Sequence, residues 1–435
     1  MAIAARTMAD FIPLTVTSKA AAVPPEDFVS RAPALADRDG DGDDDDDGGL
    51  REPWRCAASH LAGLSITEVL HEELVRFCEF ISPTPAEHAA RDGLIDRFHQ
   101  LAAELFPGAE VVVFGSVATR LYLPVSDLDL VIFYETSDPK LCLRVLAEQL
   151  QARNLVAYIE LILTARVPIV KFKDAQTGIS VDVCMNVENG RAACALINEF
   201  QLAIPALRPL TLFLKYFLHC RDMNDTYTGG VGSFLLQMMI VSQLQLHPYG
   251  SMRLPASATA SAPASRDLNL GALLLSFLEV FGKTFNYAVV GISVRDGGSY
   301  FSKAQRGAAF TDVMRPYLLS VENPLEPDVD VGRNSFGIMR VRRAFSWAFD
   351  RLTLEFPDEP CRTLLGRLVP VRGEVFRARG LGGTPPLSLT GSGSDDGAQR
   401  RDRKSQRRPP RTSSAKDAAR GEHAPKRRKH QRRAA

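Results

Sequence analysis

The segment VVVFGSVATRLYLPVSDLDLVIF, residues 111–133, constrains this chain more than any other. A β-rich run, Val111 to Phe114, ends in Gly115 and Ser116; a short polar turn follows, and a second β-run carries Asp127 and Asp129. Carboxylates two positions apart on a strand project from one face, a few ångströms from each other. Two like charges so close repel unless a cation lies between them, and oxygen-only donors at that spacing suit Mg²⁺. Gly115 lets backbone approach a phosphate, and the helix start after it offers free N–H groups. A third carboxylate, Asp182, sits in ISVDVCM with Val181 and Val183 on the opposite face. Three Asp converging from neighbouring strands would hold two metal ions, the arrangement that clamps attacking and leaving oxygens in an in-line displacement at phosphorus. Asp-x-Asp alone is commonly a solvated strand end. The upstream Gly-Ser turn and an Asp embedded among apolar residues reverse that reading, because a buried unpaired carboxylate is costly.

Around this segment the chain divides by composition. Residues 1–63 are expected to be an unstructured acidic region, and residues 370–435 an unstructured basic tail. Between them, helical spacing over 66–81 and 90–105 precedes β-rich runs at 111–114, 128–133, 169–172 and 179–183, with a helix expected over 140–152. From about 191 the pattern turns helical: 191–202, 205–219, 232–246, 268–282 and 337–354, interrupted by an Ala/Ser/Pro-rich loop at 251–266. The expected class is α+β: a sheet-containing domain at 64–190 and a helical domain at 191–369.

Composition excludes several classes. No apolar run reaches the roughly 18 residues of a membrane-spanning helix. Met1 to Ala9 lacks the apolar segment of a secretory signal, and Asp10 with the early prolines argues against a transit peptide. Seven scattered cysteines without a Cys-x-x-Cys pair read as buried thiols in a reducing compartment. The net charge of +1 conceals an asymmetry: residues 400–435 hold fifteen Lys or Arg against three Asp or Glu, a net of +12, which leaves −11 for residues 1–399. Near the other end, residues 37–47 hold eight Asp and one Arg.

The 111–133 segment resembles the signature of DNA polymerase β-type nucleotidyltransferases. LHEELVRFCEFISPTP, VPIVKFKDAQTGISVDVCMNVENG, RDMNDTYTGGVGSF, FNYAVVGISVRDGGSYFSK and NPLEPDVDVGRNSFGIMRVRRAFSWAF follow in order, and together they resemble the Trf-type non-canonical poly(A) polymerases, the tailing subunits of TRAMP complexes. The resemblance implies a catalytic palm-like domain carrying the three Asp and a helical central (PAP/25A-associated) domain forming the other wall of a cleft. It implies Mg²⁺ or Mn²⁺ at Asp127, Asp129 and Asp182, ATP as substrate and RNA 3′ ends as acceptor.

Further positions carry over one at a time. Gly115 and Ser116 would meet the nucleotide phosphates. Gly190 matches a nucleotide-contacting position, where a missing side chain leaves room for a ribose. Lys215 matches a lysine that reaches the triphosphate, although a lysine on an apolar helix ordinarily snorkels to the surface. Ser233 matches a hydroxyl donor to the phosphates. Phe234 stands where the family has a base-stacking Tyr, and keeps the ring without the hydroxyl. The loop 327–336 matches the nucleotide-recognition motif, with Arg333 at the family arginine. Val329, however, replaces an Asn that can donate to and accept from a base edge; Val does neither.

Uridylyltransferases of the superfamily often place His in that loop. Here no His occurs between His247 and His423, which tilts the expectation towards adenylation. A uridylylating or mixed-nucleotide enzyme is the nearer alternative. A catalytically silent RNA-binding scaffold is the farther one, since silent relatives usually lose one of the three Asp or the Gly-Ser turn. The basic tail, with Lys426, Arg427, Arg428 and Lys429, would neutralise RNA phosphates without reading sequence and resembles a nuclear import signal. Nuclear or nucleolar location is expected, with the mitochondrion as the minor alternative. A zinc-knuckle RNA-binding protein and an RNA helicase are partners by resemblance only, and no membrane association is expected.

Overall fold

The computed structural model describes residues 52–247, 268–354 and 363–370. The loop expected at 251–266, the acidic run at 37–47 and the basic tail, including Lys426 to Lys429, lie outside them. In chain order the elements are α1 (Ala58–Leu61), α2 (Ile66–Ile81), α3 (Pro85–Leu105), β1 (Glu110–Phe114), α4 (Gly115–Ala118), β2 (Leu128–Phe133), α5 (Pro139–Ala152), β3 (Val156–Ile162), β4 (Ile169–Asp174) and β5 (Ser180–Met185). Then follow α6 (Asn189–Ala203), α7 (Leu207–His219), α8 (Ser233–Gln245), α9 (Leu270–Glu279), β6 (Val290–Ser293), β7 (Ser299–Ser302), α10 (Lys303–Arg306) and α11 (Ile338–Thr353).

The first five strands form one mixed sheet in the order β1-β2-β5-β4-β3, in which only the β2/β5 pair is parallel. Period-two alternation sorts its faces. Leu128, Leu130 and Ile132 of β2, with Val181 and Val183 of β5, pack against Phe98 of α3 and Leu146 of α5 in one core. That leaves the odd positions of β2 and the even positions of β5 for the other face. Capping boxes start the two long helices: Ser65 with Glu68 for α2, and Thr84 with Glu87 for α3.

A second, larger core joins α2, α7, α8, α9 and α11 through Leu74, Phe77, Phe213, Phe217, Met239, Phe277 and Phe345. One expected boundary therefore moves. Residues 52–63 are not an unstructured extension: Trp54 is fully buried, donates Nε1–H to Thr363 Oγ1 at 3.0 Å and meets Phe77 edge-on. An indole removed from water outweighs the polar residues around it in sequence. Helix α2, inside the expected 64–190 span, buries its apolar stripe in the helical core, the crossing that the resemblance implies for the family's N-terminal helix. Among the described residues no helix is long and apolar enough to cross a membrane.

Candidate active site

Sheet register assembles the site. Phe114 pairs with Asp129 across β1/β2, Asp129 with Asp182 across β2/β5, and Asp182 with Lys171 across β5/β4. The four residues form one row on the face that α3 and α5 leave free, because directly paired residues share a face. Asp127 lies one residue before β2 rather than inside it, and is exposed. Its loop is pinned from below: the buried Arg91 donates from Nη2 to Pro124 O at 2.8 Å and Ser126 O at 3.1 Å.

At the end of β1 the backbone turns into α4 through Gly115, whose φ is +65°. A Cβ there would lie 2.3 Å from Asp129 Oδ2, so glycine is required twice, for the left-handed turn and for the carboxylate beside it. Gly190 has a packing role in addition to the expected ribose clearance. A Cβ at 190 would come within 2.9 Å of the Phe114 ring, so this glycine seats the start of α6 against the sheet row.

The carboxylates burden one another. Burial first, then Asp182 and Asp127, push the Asp129 pKa up to about 7. Burial and then Asp182 also push Asp127 up, although its side chain still reaches solvent. Lys171 Nζ stands 2.7 Å from Asp182 Oδ2. Burial works against that ammonium, but its bond to Asp182 prevails and holds its pKa up. Lys215 is not a snorkelling surface lysine. It is 7% exposed within α7, with Nζ 3.4 Å from Leu121 O, and burial lowers its pKa to about 8 against the pull of Asp129 and Asp127. An ammonium buried this deeply is costly unless anions offset it, and Asp129 and Asp127 do so in part.

Ser233 opens α8, and Gly232 before it supplies no side-chain cap, so the helix start keeps free N–H groups for a ligand. Phe234 beside it is partly buried against the helical core. In the loop 327–336, Val329 is 41% exposed and Arg333 is exposed. The loop's shape comes from Asp330, which sequence reading did not single out: Oδ1 accepts from Val321 N and Gly332 N, and Oδ2 from Ser320 Oγ. Buried Lys303 supports it, donating to the carbonyls of Tyr287, Pro316 and Leu318. From the sheet side, Asn189 Nδ2 donates to Glu326 Oε1 at 2.8 Å, joining the α6 start to this loop.

Among the described residues no three His, Cys, Asp or Glu side chains already surround a single ion position. The donor set nevertheless fits a divalent cation. It is all oxygen, it is mutually repulsive, and among the described residues Asp182 alone of the three has an ion-pair partner.

Residues 70–201 match the family described as "Poly(A) RNA polymerase, mitochondrial-like, central palm domain", and residues 269–329 match "Cid1 family poly A polymerase". Poly(A) RNA polymerase cid14 of Schizosaccharomyces pombe is 40% identical over 294 residues, 66% of this chain and 41% of that protein. A solved polymerase core of TRAMP, described as a RNA surveillance complex, superposes with a TM-score of 0.62 at 33% identity over 70% of this chain and 95% of that one. This chain belongs to the Trf-type non-canonical poly(A) polymerases. Its fold is the polymerase β-like nucleotidyltransferase fold of that family. The family also holds a member named as inactive, protein Trf4-2 of Drosophila melanogaster, 34% identical over 67% of this chain and 70% of that protein. The chain spans about half or less of the first curated relatives, for example 41% of the fission-yeast polymerase and 50% of a budding-yeast one.

Proposed function

We propose that the chain adds AMP units from ATP to RNA 3′ ends without a template. The observation that carries this reading is the Asp129–Asp182 row with Asp127 at its rim, facing the buried Lys215. The same set favours an active enzyme over a silent scaffold, since the Gly-Ser turn and all three carboxylates are present, with Asp129 and Asp182 paired across β2/β5. Asp127 and Asp129 would hold one divalent ion and Asp182 would complete a second site. When bound, Mg²⁺ or Mn²⁺ supplies charge neutralisation at the α-phosphate and acidifies the 3′-hydroxyl.

The protein's own part is positioning and electrostatics. Lys215 and the α8 start at Ser233 hold the phosphates, and the Gly115–Ser116 turn brings backbone N–H groups against them. The Phe234 ring supports the base. Arg333, exposed on the recognition loop, reaches base or phosphate. Asp330 and Lys303 act one layer back by fixing that loop. A zinc-knuckle RNA-binding protein and a helicase as partners, and work in nuclear RNA surveillance, agree with the TRAMP likeness.

A second reading rests on Val329, an apolar side chain in solvent where the family resemblance implies a base-reading Asn. It allows UTP or mixed incorporation. The test offers each NTP separately, with Mg²⁺ or Mn²⁺, to purified protein and a labelled oligo-RNA. Extension with ATP alone is expected. Equal extension with UTP would replace the adenylation reading by the second one.

A further inference from the structure

On the helical lobe a shallow groove of about 500 Å³ is lined by Arg221, Met223, Arg340, Arg343, Ala344 and Trp347. Among the described residues no acidic side chain lines it. Arg340, Arg343 and Trp347 are spaced three and four residues apart on α11, which puts them on one face. All three are exposed, Trp347 by 40%. Among the described residues the side chains of Arg340 and Arg343 have no ion-pair or hydrogen-bond partner.

Arg221 is held rigidly. Its guanidinium lies 3.8 Å over the Phe217 ring and 5.0 Å from the Trp347 ring, and donates to Leu368 O at 2.8 Å and Phe217 O at 3.0 Å. Burial lowers its pKa. The groove is also tied to the turn that precedes Ser233 and α8. Met223 O accepts from Val231 N at 2.8 Å, and Gly229 O accepts from Gly337 N at 2.8 Å, so the turn before α8 is tied to the start of α11.

Arginines on an exposed helix are ordinarily solvated. Three features set these apart: no counter-charge lines the groove, one guanidinium is fixed against two rings, and an indole lies open between cations. An aromatic face flanked by unpaired arginines matches a ligand that carries both phosphates and stackable bases. A protein acid stretch would use the charge but not the open indole.

We propose that this groove binds single-stranded RNA, with phosphates on Arg340 and Arg343 and a base stacked on Trp347 beside Arg221. It would hold RNA upstream of the 3′ end, apart from the carboxylate row. The inference rests on the reading of RNA as substrate.

The chain has only two tryptophans, and Trp54 is fully buried, so intrinsic emission that responds to added RNA reports Trp347. The full chain is titrated with a 20-nucleotide RNA and with a trinucleotide, as wild type, Arg340→Glu/Arg343→Glu and Trp347→Phe. The expected result is quenching by the long RNA, lost in Trp347→Phe, and at least roughly tenfold weaker long-RNA binding in the double variant. Extension of the trinucleotide stays unchanged in both variants, which also shows that they fold. The basic tail is present throughout, so a difference between variants belongs to the groove. Unchanged emission, or unchanged long-RNA affinity in the double variant, would overturn the proposal. An emission change on deleting residues 37–47 without RNA, and none on adding RNA, would assign the groove to that acidic run and overturn it as well. Failure of the wild type to extend either RNA counts against the adenylation reading, and the emission titration judges the groove independently.

Discussion

Asn189 and Glu326 meet at 2.8 Å across the site, one at the start of α6 beside the sheet row, the other at the edge of the recognition loop. Both are exposed, so the bond competes with water and is worth about 1 kcal/mol at most. It fixes where the loop stands relative to the carboxylates. Asn189→Asp replaces the donor with a charge facing Glu326. The expected result is a several-fold rise in KM for the nucleotide with a smaller change in kcat. Steady-state kinetics of Asn189→Asp beside Asn189→Ala check this, with the Asp variant the more impaired.

Gly115→Ala is expected to cost more activity than stability. The left-handed backbone costs a Cβ residue about 1–2 kcal/mol, which a domain of this size tolerates. The added methyl carbon would lie 2.3 Å from Asp129 Oδ2, so the carboxylate has to shift. Loss of two or more orders of magnitude in kcat, with a melting temperature only a few degrees lower, is the expected pair of results.

Glu73 gives the fold a pH dependence remote from the site. It is buried in α2, accepts from Leu364 N and Leu365 N, and burial raises its pKa from 4.5 to about 7 despite those two bonds. Between those values the folded state holds a proton that the unfolded state has lost. This contribution is therefore complete below about pH 4.5 and disappears as pH rises through 7, by about 3 kcal/mol as an upper figure. Urea unfolding of wild type and Glu73→Gln at pH 5 and pH 8 measures it. The variant should gain on the wild type as pH rises.

The sheet row was legible where local pattern carries it. Asp127, Asp129 and Asp182 stand out because an acid alternates with buried aliphatics. Lys171 was not singled out, because its meaning comes from register: it becomes the partner of Asp182 only when β4 pairs with β5. Strand β3 was missed because Val156 to Ile162 is an edge strand with residues exposed on both faces, leaving no clean alternation. The hairpin β6/β7 escaped for the opposite reason, since Val290 to Ser293 is buried throughout and too short for a period. Trp54 was assigned to an unstructured region because the acidic composition before it masks a single anchoring residue. Arg91 and Lys303 were invisible because each is buried by tertiary contacts to backbone carbonyls, which no sequence spacing announces.

RNA extension with and without the carboxylate pair tests the proposed adenylation most directly. Purified protein and its Asp127→Asn/Asp129→Asn variant are given labelled oligo-RNA, ATP and Mg²⁺, and extension is followed on a denaturing gel alongside RNA affinity. An ATP-dependent ladder is expected from the wild type and none from the variant, with RNA affinity of the two within about threefold, because the phosphate-binding residues are untouched. A ladder of equal strength from the double variant would contradict carboxylate-dependent adenylation.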